Sequence, residues 1–101
     1  MSEEKAEKRA VKVEVVLGDD VKNGSYVNLA RIFHNQTEFI LDALFLPPQS
    51  RQATVRSRLL LSPLHAKLLH AALGQNLSVY EEKFGAIQPR RGEDEPGGVL
   101  H

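Results

Sequence analysis

The sequence predicts an α+β fold in which a four-stranded antiparallel β-meander is followed by one long C-terminal α-helix (ββββα), and we expect this unit to form a homodimer. Three observations support the prediction. Four short segments before residue 62 alternate in hydrophobicity or are rich in β-branched and aromatic residues. Segment 62–85 has the apolar spacing and both boundary signals of a helix. The third segment is apolar on both sides, which is more than one helix can cover.

Composition limits the classes of protein to consider. The chain has 101 residues, of which 42% are hydrophobic and 26% charged, as is typical of one small globular domain. Lysine and arginine together number 13, as do aspartate and glutamate, so no global field attracts the chain to nucleic acid or to an anionic membrane. There is no cysteine, and the N-terminal segment lacks the apolar core of a signal peptide. We therefore expect a cytoplasmic protein without a membrane-spanning segment.

Both ends of the chain differ from its middle. Residues 1–10 are highly charged, and residues 88–101 are rich in proline, glycine and charge. Neither end carries enough apolar surface to offset the conformational entropy lost on folding, so we expect disordered tails around one domain at residues 11–87. A domain of this size has a marginal core, and oligomerisation is a common way to enlarge it.

The four strand segments follow one another with short connections. Residues 11–17 alternate with the two-residue period of a strand, and residues 26–34 and 37–46 read as a hairpin around an Asn35-Gln36 turn. After a Pro47-Pro48 break, residues 53–61 supply the fourth strand. Short connections favour antiparallel neighbours in sequence order, with the helix laid across one face of the sheet.

The predicted hairpin places charged residues beside one another. With a two-residue turn at Asn35-Gln36, Phe39 lies opposite Ile32, and Arg31 lies diagonally between Glu38 and Asp42. We interpret this trio as a salt-bridged patch that fixes the register, in preference to a catalytic pair of carboxylates.

The helix has clear ends and one main apolar stripe. Ser62 is a good N-cap residue, Pro63 suits the first helical position, and Gly85 suits the left-handed turn after the last residue. One narrow stripe, here called the seam, is expected to pack on the sheet; it consists of Ala66, Leu69, Leu73, Leu77, Tyr80 and Phe84.

A weaker second stripe runs along nearly the opposite side of the helix and is formed by Leu64, Leu68, Ala72 and Val79. We predict that this stripe contacts a second copy of the chain, the alternative being scattered surface leucines that need no explanation. Gly74 disfavours the helix by about 1 kcal/mol relative to alanine, which hints at close approach of another element.

The segments at residues 26–42 and 53–87 also resemble a known family. Residues with the spacing of its motif are Tyr26, Asn28, Leu29, Ala30, His34, Glu38, Phe39, Leu41, Asp42, Ser57, Arg58, Pro63, His65, Ala66, Lys67, Asn76, Tyr80, Glu81, Phe84, Gly85 and Ile87. The chain is similar to DUF3467, an uncharacterised family of small bacterial proteins. The resemblance implies a dimeric ββββα fold and assigns no activity. Ala43 departs from the pattern, which has an aromatic residue after the Leu-Asp pair, so the third strand is expected to pack differently here.

No motif indicates enzymatic chemistry. His65 and His70 are five residues apart and do not share a helix face, so they do not form a metal pair. The sequence contains no nucleophile elbow and no glycine-rich phosphate loop. We therefore predict a non-enzymatic protein without a cofactor, a metal ion or a small-molecule substrate.

Two functional classes remain. The first is a dimeric adaptor or scaffold that binds another protein. The second is a single-stranded nucleic-acid-binding protein that uses the basic segment 51–70, which contains Arg51, Arg56, Arg58 and Lys67 and no acidic residue. Tyr26 and Phe33 would offer stacking surfaces. The sequence favours the interaction module.

Overall fold

A computed structural model describes residues 12–89 and the backbone of residues 99–100. It contains strands β1 (Leu29–His34), β2 (Phe39–Phe45) and β3 (Thr54–Leu61), helix α1 (Pro63–Phe84) and a two-residue strand β4 (Val99–Leu100). Strands β1, β2 and β3 form an antiparallel sheet with β2 in the centre, and β4 pairs in parallel with β1 at Ala30 and Arg31. The fold is therefore α+β, with three antiparallel strands followed by one helix.

The predicted N-terminal strand is not formed. Residues 12–18 have no regular secondary structure, and Val13, Val15 and Val16 are almost fully exposed; Val11 lies outside the described residues. The prediction was wrong because alternation alone does not form a strand, which must also pair along an edge and cover a face of the sheet. In the structure the strand beside β1 is β4, which pairs with it at Ala30 and Arg31.

The β1–β2 hairpin is present, but its turn lies one residue later than predicted. The side-chain Oδ1 of Asn35 accepts hydrogen bonds from the backbone N–H groups of Thr37 and Glu38, each at 2.9 Å, and these bonds place the turn at Gln36-Thr37. His34 then pairs with Phe39, and the register differs by two residues from the prediction. A shift of two preserves the alternation, so each side chain lies on the sheet face where it was expected.

The sheet has two different faces, which follow from the register. The arginine face carries Arg31, Asp42 and Arg58 in one row across the three strands, with apolar neighbours in the rows on either side: Phe33, Ile40 and Leu60; Leu29, Leu44 and Val55. The apolar face carries no charged side chain in its regular rows, which are formed by Ile32, Leu41 and Leu59; His34, Phe39 and Leu61; Ala30, Ala43 and Ser57.

Both predicted helix ends are confirmed. The Oγ of Ser62 accepts a hydrogen bond from the backbone N–H of His65 at 3.1 Å, and Pro63 occupies the first helical position. Gly85 ends the helix with a φ of 95°, and its N–H donates to the carbonyl of Glu81 at 2.9 Å. A positive φ of this kind is tolerated by glycine and strained for other residues. A Cβ at Gly74 would meet no atom within 4 Å, so nothing within the described chain approaches this glycine.

The predicted packing of the seam on the sheet of the same chain is wrong. No residue of α1 is buried, and the exposed fractions of the seam side chains from Leu69 to Phe84 range from 42% to 70%. Of the strands, only β3 makes repeated contact with α1. A single residue, Ser62, separates β3 from α1, and a connection this short does not allow the chain to reverse and lie back across the sheet. The buried core of the described residues is confined to Leu29, Leu44 and Asp42.

Candidate functional site

The centre of the arginine face is an ionic cluster that joins all three antiparallel strands. Asp42 on β2 is fully buried and accepts hydrogen bonds from two arginines on the flanking strands. Arg31 donates to Oδ2 through Nε at 3.1 Å and Nη2 at 2.7 Å. Arg58 donates through Nε to Oδ1 at 2.7 Å and through Nη2 to Oδ2 at 2.9 Å. One carboxylate therefore holds two guanidinium groups in fixed orientations.

The electrostatics of this cluster favour the charged forms of Asp42 and Arg58. Hydrogen bonds from Arg58 and then from Arg31 hold the pKa of Asp42 well below its usual range, against the opposing effect of burial. The hydrogen bond to Asp42 raises the pKa of Arg58. Two positive charges thus face one negative charge, and the cluster carries a net charge of about +1 over the physiological pH range.

An aromatic ring borders the cluster on the same face. The Cζ atoms of Arg31 and Arg58 lie 5.7 and 5.8 Å from the ring centroid of Phe33, within the range of a cation–π interaction. The arginine side chains remain 40% and 51% exposed, and Phe33 is 40% exposed. The row of charges and the ring together form a surface accessible to a ligand.

The predicted trio of Arg31, Glu38 and Asp42 is confirmed only in part. Arg31 lies directly opposite Asp42 and not diagonal to it, and Glu38 lies before β2 at the turn. Arg58 supplies the third member in place of Glu38. The later turn causes this difference, because it shifts the pairing so that the residue of β1 opposite Asp42 lies two positions further along the strand than predicted and is Arg31. The sequence signal for Arg58 was the alternation of side chains along β3, which puts Arg58 on one face of the sheet. The register of β3 with β2 then places it directly beside Asp42.

The four basic residues predicted to contact nucleic acid do not form one group. Arg58 is bonded to Asp42 on the arginine face. Arg56 occupies the irregularity where β3 shifts against β2, and its guanidinium lies 5.3 Å from the ring centroid of Phe45, whose position in β2 places it on the apolar face. Arg51 is exposed in the loop before β3, and Lys67 is exposed on α1. The basic segment 51–70 is thus divided between the two sheet faces, a loop and the helix.

The residues predicted to contact a second copy lie on an accessible surface. Leu64, Leu68, Ala72 and Val79 are all exposed in the single chain. The seam on the other side of α1 is also exposed, as are Ile32 and Leu59 on the apolar face of the sheet. The apolar surface that one chain leaves open is therefore larger than the sequence alone indicated.

The histidines of the described region have local contacts. The Nδ1 of His65 lies 2.8 Å from the Oγ of Ser62, and the ring of His34 stacks on Phe39 at a centroid distance of 4.9 Å. Among residues 12–89, no three histidine, aspartate or glutamate side chains come together in a way that would hold a metal ion. No helix in the described part of the chain is both long and apolar enough to cross a bilayer.

Comparison with protein-family models matches residues 1–89 to a family described as protein of unknown function (DUF3467). The chain belongs to the DUF3467 family. The match includes the whole sheet formed by β1, β2 and β3 and all of α1, and it confirms the resemblance predicted from the sequence motif. Searches of curated proteins and of solved structures give no match for this DUF3467 chain.

Proposed function

We propose that this protein is a small, non-enzymatic, cytoplasmic homodimeric module that serves as an adaptor or scaffold, with α1 of each copy covering the apolar face of its partner's sheet. The observation that carries the proposal is the absence of any buried residue in the 22-residue helix. An isolated helix in water is marginally stable, and most helices in proteins are stabilised by packing an apolar face. The seam provides such a face.

The apolar face of the sheet and the seam complement each other chemically. The regular rows of the apolar face have no charged side chain, and Ile32, Leu41 and Leu59 run across its middle. The seam is likewise formed by leucine, alanine and aromatic residues. One chain therefore presents both halves of a helix–sheet contact, while the connection at Ser62 keeps them apart. Exchange between two copies satisfies both surfaces with one two-fold interface.

The available area is sufficient for a stable dimer. Half-exposed leucine and aromatic side chains leave roughly 70–100 Å² each, so the seam and the apolar face offer on the order of 800 Å² per chain, which is what each partner contributes to an interface of standard size. The helix is about 33 Å long, whereas the seven residues of β2 span about 24 Å. The helix is therefore longer than the sheet of one chain, as suits a contact surface to which two copies contribute.

Cysteine cross-linking tests this arrangement directly because the natural chain contains no cysteine. Chains carrying Leu73→Cys and chains carrying Ile32→Cys are mixed, allowed to exchange and oxidised. The proposal predicts that a disulfide links the two kinds of chain, since the seam of one copy faces the sheet of the other. The control pair, Ser78→Cys with Ile32→Cys, should give little cross-linking because Ser78 lies on the polar flank of the helix, which is the side between the seam and the second stripe that carries Lys67 and Glu81. Equal cross-linking in both mixtures, or none, would contradict the proposal.

Single-stranded nucleic-acid binding is the second candidate, and one grouping of side chains favours it. Tyr26 packs edge-on against Phe45 with a centroid distance of 6.1 Å, and Arg56 lies over the same Phe45 ring. An exposed tyrosine beside a cation–π pair is a suitable platform for a base and its phosphate. Titration with labelled single-stranded oligonucleotides at rising salt tests this candidate, which requires binding that weakens with salt and is lost in Arg56→Gln.

A further inference from the structure

We propose that the arginine face binds an acidic peptide segment of a partner protein, with a carboxylate held by Arg31 and Arg58 and an apolar side chain packed against Phe33. The inference rests on the proposed function as an interaction module, and it names the chemistry of the partner. It concerns the sheet face opposite to the one that the helix of the second copy would cover.

Both arginines have hydrogen-bond donors that no group of residues 12–89 uses. A guanidinium group has five N–H donors, and each arginine uses only Nε and Nη2 on Asp42. Neither Nη1 group has a hydrogen-bond partner among residues 12–89. The side chains are about half exposed, so these donors are accessible to a ligand. An additional carboxylate would also neutralise the net positive charge of the cluster.

The two guanidinium groups are already oriented for binding. They extend from β1 and β3, on either side of β2, and converge on the single buried carboxylate of Asp42. Their rotamers are therefore fixed before a ligand arrives, which lowers the entropy cost of association. The planar fork of a guanidinium matches the geometry of a carboxylate, and a pair of forks in fixed positions favours an acidic side chain over a neutral amide.

The spacing of the face suits an extended peptide. Phe33 and Leu60 are each two residues beyond the arginine of their own strand and lie on the same face, with exposed fractions of 40% and 61%. Side chains two residues apart in a strand are separated by about 7 Å. An extended segment of the pattern acidic–any–apolar has the same separation. Its acidic side chain would reach the arginines while its apolar side chain packs on Phe33 and Leu60.

The composition of this face favours a peptide over a nucleic acid. Single-stranded nucleic acids are bound by grooves with several cations and several stacking rings. Among the strand residues of the arginine face, Phe33 is the one aromatic residue, and the basic residues nearest to Arg58 in sequence, Arg56 and Arg51, lie elsewhere. Leucine, isoleucine and valine make up most of the remaining face, and these side chains match an apolar peptide side chain.

Binding is measured on the full chain by fluorescence anisotropy with a labelled Glu-Ser-Leu-Glu-Ser-Leu peptide. The Gln-Ser-Leu-Gln-Ser-Leu peptide serves as the neutral control. The expected result is saturable binding that weakens with salt and is about tenfold or more weaker for the neutral peptide. Nitrogen-detected NMR of the arginine side chains of the unmodified protein locates the site: the Nε–Hε signals of Arg31 and Arg58 should shift, while that of Arg51 stays constant. Equal affinity for the two peptides, or shifts at Arg51 alone, would overturn the proposal.

A charge placed beside the cluster provides a matched pair of variants. Leu60→Glu replaces the apolar contact at residue 60 with a carboxylate without altering Arg31, Asp42 or Arg58, and it should weaken binding of the acidic peptide by about tenfold or more through repulsion, occupation of the donors and loss of apolar packing. Gln36→Glu adds the same charge at the hairpin turn and should leave the affinity unchanged. Equal effects of the two variants would contradict a specific site.

Two further outcomes separate this proposal from its alternatives. A twelve-nucleotide oligothymidylate that shifts the Arg31 and Arg58 signals while the acidic peptide does not would replace the peptide with nucleic acid as the ligand. Light scattering on the same samples reports the oligomeric state. A dimer that binds neither peptide overturns the peptide site alone, whereas a monomer overturns the proposed dimeric module.

Discussion

Arg31 and Asp42 are separated by 11 residues in the chain, and the Nη2 of the arginine lies 2.7 Å from the Oδ2 of the aspartate. This bond crosses the β1–β2 hairpin directly, because the two residues are partners in the register. Arg58 bonds to the same carboxylate from the other side. The ionic row is therefore a cross-link among the three antiparallel strands, in a protein whose described region has only two buried apolar side chains.

Acid should weaken the protein through Asp42. The pKa of Asp42 lies well below the usual range in the folded state, whereas the pKa of an aspartate in an unfolded chain is about 3.9. The stabilisation by the charged carboxylate is thus complete above pH about 4 and is lost progressively as the pH falls toward the folded-state pKa. We expect Asp42→Asn to lower the melting temperature at neutral pH and the difference from wild type to shrink below pH about 4.

Thermal unfolding followed by circular dichroism between neutral and acid pH measures this effect. Asp19→Asn is the matched control, because Asp19 is almost fully exposed and its contact with Lys22 at 3.5 Å is a surface ion pair. Its melting temperature should stay within about 2 °C of wild type at every pH, as expected for a surface pair. A difference between Asp42→Asn and wild type that stayed constant down to the acid limit would show that the charge on Asp42 contributes nothing.

Asn28 should stabilise the hairpin through its side chain. The Nδ2 donates to the carbonyl of Leu46 at 3.0 Å, and the N–H of Leu46 donates to the Oδ1 at 2.9 Å, which continues the β1–β2 ladder beyond the strand. We expect Asn28→Ala to reduce the free energy of unfolding by about 1–2 kcal/mol, since two net hydrogen bonds are lost. Urea unfolding of this variant beside Asn23→Ala, in the exposed loop before β1, provides the measurement. Equal stability of the two variants would refute the role.

The N-cap of α1 should make a measurable contribution to stability. Ser62 accepts the backbone N–H of His65 at 3.1 Å and has a β-region backbone conformation, with φ −70° and ψ 161°. Loss of this bond in Ser62→Ala is expected to cost about 1 kcal/mol, whereas Ser62→Gly should cost only a few tenths. Ser78→Ala in the middle of the helix serves as the control, and chemical unfolding measures all three. A loss in Ser78→Ala as large as that in Ser62→Ala would argue against capping.

The seam should be required for association. Leu73 lies in the middle of the seam and is 58% exposed in the single chain. A glutamate at this position would be buried and unpaired in the proposed helix–sheet contact, so Leu73→Glu should convert the dimer to a monomer. Ser78→Glu adds the same charge on the polar flank of α1 and should remain dimeric. Size-exclusion chromatography with light scattering compares them, and a dimeric Leu73→Glu variant would place the interface elsewhere.

The sequence was informative where local chemistry determines the structure. Ser62, Pro63 and Gly85 fix the ends of α1 through caps and backbone angles, and both ends could be predicted. The faces of β1 and β2 followed from alternation, although the Asn35 turn moved the pairing by two residues. From the sequence, Arg58 was assigned to a basic segment and not to Asp42. The two residues are 16 positions apart, and their contact depends on how the strands pair.

Non-local structure could not be predicted in the same way. Val13, Val15 and Leu17 have the alternation of a strand, but a strand must also pair with a sheet edge, and no local signal reports which edge a segment will pair with. The seam has the pattern of a core face, but hydrophobic periodicity does not state whether the covering surface belongs to the same chain. The one-residue connection at Ser62 decides this, because it keeps α1 away from its own sheet.

The mass of the particle in solution shows whether the protein is a homodimer. The chain mass is 11.3 kDa, and multi-angle light scattering over a micromolar concentration series measures the mass of the particle. We expect twice the chain mass across the series, because two copies are needed to cover the seam and the apolar face of the sheet. A particle of 11.3 kDa at every concentration would contradict the proposed homodimer.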